Sequence, residues 1–131
     1  MSWDVYLMKT ASNREKDLEE VMEVVPMPCW RELKTMLHGR FPDLISGYAH
    51  LDEGIWFPVL SSPDYALEFN LAVEREDEPL RGILFSRPGC GERWAYPLKF
   101  LCELLDARIM DCGEGVFWDW ENLPEWIAGG L

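Results

Sequence analysis

The sequence has few basic residues, few histidines and no paired cysteines. Twelve Lys and Arg face 24 Asp and Glu, which gives a formal net charge of -12. Because phosphate recognition needs patches of Lys and Arg, this balance argues against direct binding of nucleic acid or of an anionic membrane. No apolar run approaches the length of a membrane span, and the N-terminal residues lack the basic and apolar regions of a secretory signal. We therefore expect a cytoplasmic protein with no membrane partner.

The sequence also lacks a recognisable catalytic or metal-binding pattern. Its four cysteines form no CxxC pair and no zinc-type spacing with the two histidines, so we expect free thiols, no metal and no cofactor. Cys90 lies between two glycines, but the sequence places no base beside it. Glu68 and Asp111 are candidate acid/base carboxylates that no pattern brings together. We expect a protein that is not an enzyme; a small hydrolase using Cys90 or Glu68 and Asp111 is an alternative.

What the sequence does contain is the pattern of one globular domain. Its 131 residues, 48% of them hydrophobic, are enough for a single core, so residues 1–131 are predicted to form one α+β domain. Apolar residues alternate with polar or small ones over residues 65–73, and a second apolar segment covers residues 80–85. This alternation predicts an antiparallel hairpin whose connection, at residues 74–79, is acidic. Further strands are predicted at residues 3–8, 48–51, 55–60, 107–110 and 116–120.

Three helices are predicted from apolar residues at helical spacing. The first covers residues 12–25 and begins with Ser12-x-x-Glu15, the form of a capping box. The second covers residues 28–38, with Pro28 in its first turn and Gly39 as its stop. The third covers residues 97–106 and should be the most buried, with Phe100 and Leu104 widening its apolar face. The predicted apolar stripes, in chain order, are Leu18, Val21, Met22 and Val25; Trp30, Leu33 and Leu37; and Leu98, Leu101, Cys102 and Leu105.

One apolar side on each helix predicts a layered fold. We expect a mostly antiparallel sheet of about five or six strands, with the helices packed on one face. Two acidic stretches remain outside this core, the connection at residues 74–78 and a segment near the C-terminus in which aromatics alternate with carboxylates. Aromatic anchors inside a polar rim are typical of partner surfaces. The predicted partner-binding residues are Glu74, Glu76, Asp77, Glu78, Trp118, Asp119, Trp120 and Glu121.

Several short motifs follow one another in a recognisable order: Trp-Asp-Val-Tyr at residues 3–6, Phe-Pro at 41–42, Glu-Phe-Asn at 68–70, and Val-Phe-Trp at 116–118 after Asp111 and Gly115. This order resembles that of a family of small bacterial immunity proteins from polymorphic toxin and contact-dependent inhibition systems. The resemblance implies binding and neutralisation of a cognate protein toxin, by a monomer or weak homodimer without catalytic residues. An acidic surface would suit a basic toxin such as a nuclease. The alternative from another class is an acidic inhibitor or nucleic-acid mimic acting on a different defence complex.

Overall fold

A computed structural model of the chain describes residues 4–42, 45–50, 56–61, 66–70, 75, 77–86, 93–123 and 125. At residues 45–50, 56–61, 66–70 and 86 only the backbone is described. The described part contains two α-helices, a short 3₁₀ turn at Leu18–Glu20 and ten strands. In chain order the strands and helices are β1 (Asp4–Thr10), β2 (Val24–Val25), β3 (Met27–Cys29), α1 (Trp30–Arg40), β4 (Ile45–His50), β5 (Trp56–Ser61), β6 (Ala66–Asn70), β7 (Pro79–Leu80), β8 (Ile83–Ser86), α2 (Tyr96–Leu105), β9 (Arg108–Asp111) and β10 (Val116–Phe117).

The sheet is built around its first strand. In the described part of the chain, seven strands form one antiparallel sheet in the order β10–β9–β1–β8–β6–β5–β4, and β2 pairs with the end of β1. Leu7 of β1 lies opposite Ile83 of β8 and Ile109 of β9, and all three are completely buried. Because side chains alternate along a strand, these residues share one face at the centre of the sheet. The predicted α+β fold with a mostly antiparallel sheet is confirmed.

The two helices bury the stripes that their periodicity predicts. Trp30, Leu33 and Leu37 of α1 are completely buried, and they belong to the same core cluster as Leu98 and Leu101 of α2. That cluster also contains the side chains of β1, β8 and β9 that share the central face of the sheet. With five buried residues against three, α2 is the more buried helix, as predicted.

Four details of the predicted helices and strands are wrong. Pro28 lies in β3 rather than in the first turn of α1, and α1 continues through Gly39 to Arg40. Leu104 does not widen the buried face of α2, because 43% of it is exposed. The last predicted strand, residues 116–120, is shorter, since β10 ends at Phe117. The positions at which helices and strands end therefore depend on tertiary contacts, which local periodicity does not reveal.

The central hairpin is confirmed as the pairing of β6 with β8. Phe69 lies opposite Phe85, and Glu68 lies opposite Ser86. The second predicted segment, residues 80–85, is divided, since Leu80 belongs to β7, which pairs with β3 rather than with β6. Gly82 lies between the two strands, and a side chain at this position would overlap the ring of Tyr6.

The predicted helix over residues 12–25 does not form. Asn13 has a φ of 55°, which is left-handed and interrupts a helix, and its side-chain amide donates to the carbonyl of Asp106 at 2.6 Å. Further along, Asp17 bridges Val116, and Val24 pairs with Thr10. The segment thus lies across the second face of the sheet, where Val21 and Val24 pack against a small cluster of Met8, Met110 and Phe117.

A polar network at Glu15 fixes this segment to the sheet. The Arg108 guanidinium donates to the Glu15 carboxylate at 2.7 Å and to the Thr10 hydroxyl at 2.9 Å, and it stacks on the Phe117 ring at 4.0 Å. The Glu15 carboxylate also accepts from the hydroxyls of Thr10 and Ser12. The Ser12 and Glu15 side chains of the predicted capping box do meet, but they close a turn in which Glu15 faces Arg108.

The stability of the protein should depend on pH through Glu15. Hydrogen bonds from the Ser12 and Thr10 hydroxyls lower the pKa of Glu15 from 4.5 to about 2. Its stabilising contribution is therefore complete above pH 4.5 and is lost as the pH falls toward about 2, where the folded state also binds the proton. We expect the free energy of unfolding from urea titrations to fall less steeply in this range for Glu15→Gln than for the wild type. Glu23→Gln, at an exposed site, is the control; parallel curves for Glu15→Gln and wild type would contradict the assignment.

Candidate partner-binding surface

The aromatic-acidic segment after β10 is held to the core by a row of tryptophans. The ring of Trp118 meets Trp94 edge-on at 6.3 Å between centroids and meets Trp120 edge-on at 5.6 Å. Trp94 is buried, whereas Trp118 and Trp120 are half-buried and pack against the main core. The Trp118 backbone N–H donates to the Ile109 carbonyl at 2.8 Å. The row runs from the core to the surface, so the outer two indoles are ordered before any partner binds.

Asp119 lies between these two tryptophans in the sequence, and two hydrogen bonds fix its carboxylate. Its Oδ1 accepts from the backbone N–H of Glu121 at 3.0 Å, and its Oδ2 accepts from the Asn122 side-chain amide at 2.9 Å. These two hydrogen bonds, that from Asn122 first, lower the pKa of Asp119. Asp119 and Glu121 are exposed. We call residues 118–121 the tryptophan-acid corner: two anchored indoles beside two exposed carboxylates.

In the acidic connection at residues 74–78, the described carboxylate of Asp77 is already paired with a cation. Glu74 and Glu76 lie outside the described residues. Asp77 forms a two-point ion pair with Arg75, at 2.9 Å from Nε and 2.6 Å from Nη2, and this contact lowers the pKa of Asp77. Glu78 is half-buried. Asp77 and Asp119 each accept hydrogen bonds from residues of their own segment, so neither carboxylate connects the two predicted contact regions.

A third surface was not predicted, and it lies on the segment expected to be helical. Leu18 is 50% exposed, Met22 is 93% exposed and Val116 is 44% exposed. The Leu18 backbone N–H donates to the Gly115 carbonyl at 2.8 Å, which brings Leu18 beside Val116. Met22 lines an open groove of about 430 Å³ together with Glu20. The exposed acidic residues close to Leu18, Met22 and Val116 in the sequence are Glu19, Glu20, Glu23 and Glu114. The sequence does contain apolar residues at these positions, but its periodicity predicts that their side chains are buried in the core.

The candidate catalytic groups are not brought together in the part of the chain that is described. Strands β6 and β9, which carry Glu68 and Asp111, are separated by β8 and β1, a spacing of about 14 Å across the sheet. The Asp111 carboxylate accepts from the Gly113 N–H at 2.8 Å and so shapes a turn. Cys90 lies outside the described residues.

Two of the described thiols, those of Cys102 and Cys112, do not have the character of nucleophiles. Cys29, Cys102 and Cys112 are free, and burial raises the pKa of Cys102 to about 12 and also raises that of Cys112. Within the described ranges no group of three or more His, Cys, Asp and Glu side chains has the geometry to hold a metal ion. No helix there has the length and apolarity needed to cross a membrane.

Searches against family models, curated proteins and solved structures found no match to this chain.

Proposed function

We propose that this protein is an immunity protein, which binds a cognate basic toxin in the cytoplasm and neutralises it by covering its active surface. The observation that carries the proposal is the tryptophan-acid corner. Its indoles are packed on the core and its Asp119 carboxylate is fixed by two hydrogen bonds, so little side-chain entropy remains to be lost on binding. Ordered aromatic anchors beside exposed charges are the arrangement that dominates the energetics of protein interfaces.

The charge of the chain supports a basic partner. A formal charge of -12 attracts a cationic protein over a distance of about one Debye length and raises the rate of productive encounter. In the described part of the chain the acidic side chains lie at the surface or half-exposed, and none is buried. Binding of this kind needs no catalytic residue and no cofactor. It requires only that one face of the protein is complementary to the surface of the toxin, and the protein can act as a monomer or weak homodimer.

Neutralising the corner should slow association with the toxin. The partner to use is the product of the neighbouring gene, tested first for growth arrest alone and rescue by this protein. For Asp119→Asn with Glu121→Gln we expect an association rate reduced about five- to tenfold at low salt, with the difference shrinking at high salt. The asparagine keeps an oxygen that accepts from the backbone N–H of residue 121, and the hydrogen bond from the Asn122 amide is lost, so circular dichroism checks the fold of the variant.

A matched control separates the local effect from the total charge. Glu23→Gln with Glu114→Gln removes the same two charges at exposed positions outside the corner. That variant should associate within about twofold of the wild type if the corner makes the contact. Equal slowing by both pairs would remove the corner from the interface, and failure of the wild type to bind or rescue would refute the proposed function itself.

A further inference from the structure

A cluster of cations surrounds one tyrosine where the end of α1 meets the start of α2. The guanidinium of Arg40 donates to the Tyr96 hydroxyl at 2.6 Å, and its carbon lies 5.5 Å from the centre of the Tyr96 ring. The guanidinium of Arg93 lies over the same ring at 4.5 Å. Lys99 follows one turn later on α2 and lines the same small cavity as Arg40. We call this group, together with Phe100 and Glu103 at the cavity wall, the cationic pocket.

The cluster is unexpected in a chain of this charge. With 24 acidic residues for 12 basic ones, most cations have a carboxylate to pair with. Arg75 and Arg108 do so, at 2.6 Å and 2.7 Å. Arg40, Arg93 and Lys99 form no ion pair among the described residues. Among the described residues, Arg40 and Lys99 line the cavity with one carboxylate, that of Glu103, and Arg93 lies over the Tyr96 ring beside it; three positive charges less one negative charge leave an excess of two.

Aromatic contacts hold the arginines so that their N–H groups remain available. Phe41 meets Tyr96 edge-on at 5.6 Å and Phe100 edge-on at 5.3 Å, and the carbon of the Arg40 guanidinium lies 5.1 Å from the Phe41 ring centre. Of the five N–H donors of the Arg40 guanidinium, one is used by the Tyr96 hydroxyl, so others can donate to two oxygens of a phosphate.

We propose that the cationic pocket binds a phosphate group, as the free ion or as the monoester of a small molecule. Its volume of about 200 Å³ suits a small anion rather than an extended ligand. Arg40 would donate to two phosphate oxygens and Lys99 would supply a point charge, while Arg93, over the Tyr96 ring, adds to the positive potential. A doubly charged phosphate is attracted more strongly by this excess of positive charge than a carboxylate is, and this attraction outweighs the repulsion from Glu103.

Titration of the full-length protein with sodium phosphate tests the proposal, with ionic strength held constant by sodium chloride. We expect saturable NMR shifts at the backbone amides of Tyr96, Leu98 and Lys99. Arg40→Gln and Lys99→Gln should each weaken the binding about tenfold, as expected for loss of a charge-assisted hydrogen bond. A parallel titration with phenyl phosphate distinguishes the sources. Tighter binding of phenyl phosphate assigns a monoester, and equal or weaker binding assigns the free ion.

A matched variant makes the result specific to this pocket. Arg81→Gln removes one positive charge at an exposed site beyond β7 and should leave the phosphate affinity unchanged. Because Arg40 also contacts two aromatic rings, circular dichroism confirms the fold of Arg40→Gln, and Lys99→Gln tests the pocket without disturbing those rings. Shifts that follow chloride as closely as phosphate, or equal affinities for wild type and both pocket variants, would overturn the proposal.

Discussion

Replacing Trp30 with alanine should lower the free energy of unfolding by about 3 to 5 kcal/mol. Trp30 begins α1 and is completely buried, among the largest side chains with no exposure to solvent. It belongs to the core cluster that joins both helices to the central face of the sheet, so its removal leaves a cavity in that core. Domains of this size are stable by about 5 to 15 kcal/mol, so the variant should unfold at far lower urea concentration than the wild type.

The control for Trp30→Ala is Met22→Ala. Helical periodicity places Met22 on an apolar face, and a buried methionine would cost about 2 to 5 kcal/mol when truncated. In the folded chain 93% of Met22 is exposed, so we expect a change within about 0.5 kcal/mol. Urea unfolding of the two variants under the same conditions compares them directly. A large loss for Met22→Ala, or a negligible one for Trp30→Ala, would contradict the packing described here.

The sequence predicts elements well where one local pattern determines burial. The stripe of Leu98, Leu101, Cys102 and Leu105 has a single helical period and no competing polar contact, and α2 buries all four residues. The hairpin of β6 and β8 follows from alternation in the same way, up to its register. In both cases the residues that decide the structure are neighbours in sequence, so a pattern over about ten residues contains the information.

The segment at residues 12–25 fails for the opposite reason. Its conformation is decided by partners far away in sequence: Arg108, 93 residues from Glu15, and Asp106, 93 residues from Asn13. Helix propensity contributes only a few tenths of a kcal/mol per residue, which long-range hydrogen bonds and burial of Val24 against the sheet outweigh. Local periodicity carries no information on these contacts, so it predicts an apolar helix face in a segment that forms no α-helix.

The candidate surfaces divide in the same way. Composition alone indicates an acidic protein with aromatics among carboxylates near residues 118–121, and these are the residues that the Trp94 row presents at the surface. Composition does not predict that Asp77 is paired with Arg75. Nor does it predict the cationic pocket, whose charges come from α1, from the residues before α2 and from α2 itself. Sequence identifies a surface when its residues are contiguous, and only the folded chain identifies one assembled from separate elements.

Gly82→Ala should be among the most destabilising single-atom additions, at about 3 kcal/mol. Gly82 is buried beside Tyr6, and a Cβ at this position would overlap the phenol ring. Tyr6 lies in β1 opposite Leu84 of β8, and its ring would have to leave the space that it fills beside Gly82. Burial of the phenol also raises the pKa of Tyr6, as expected for a ring covered by the backbone. Urea unfolding of the variant measures the loss.

A second glycine and a double-mutant cycle identify the overlap as the cause. At Gly39 in α1 an added Cβ would meet nothing within 4 Å, so Gly39→Ala should stabilise the protein by about 0.5 to 1 kcal/mol through helix propensity. In a Tyr6→Ala background, which lacks the ring, Gly82→Ala should cost less than about 1 kcal/mol, leaving a coupling of about 2 kcal/mol between the two sites. Additive losses from Tyr6→Ala and Gly82→Ala would mean that Gly82 is required by its backbone conformation instead. The cycle thus distinguishes a glycine that makes room for an aromatic ring from one that makes a turn.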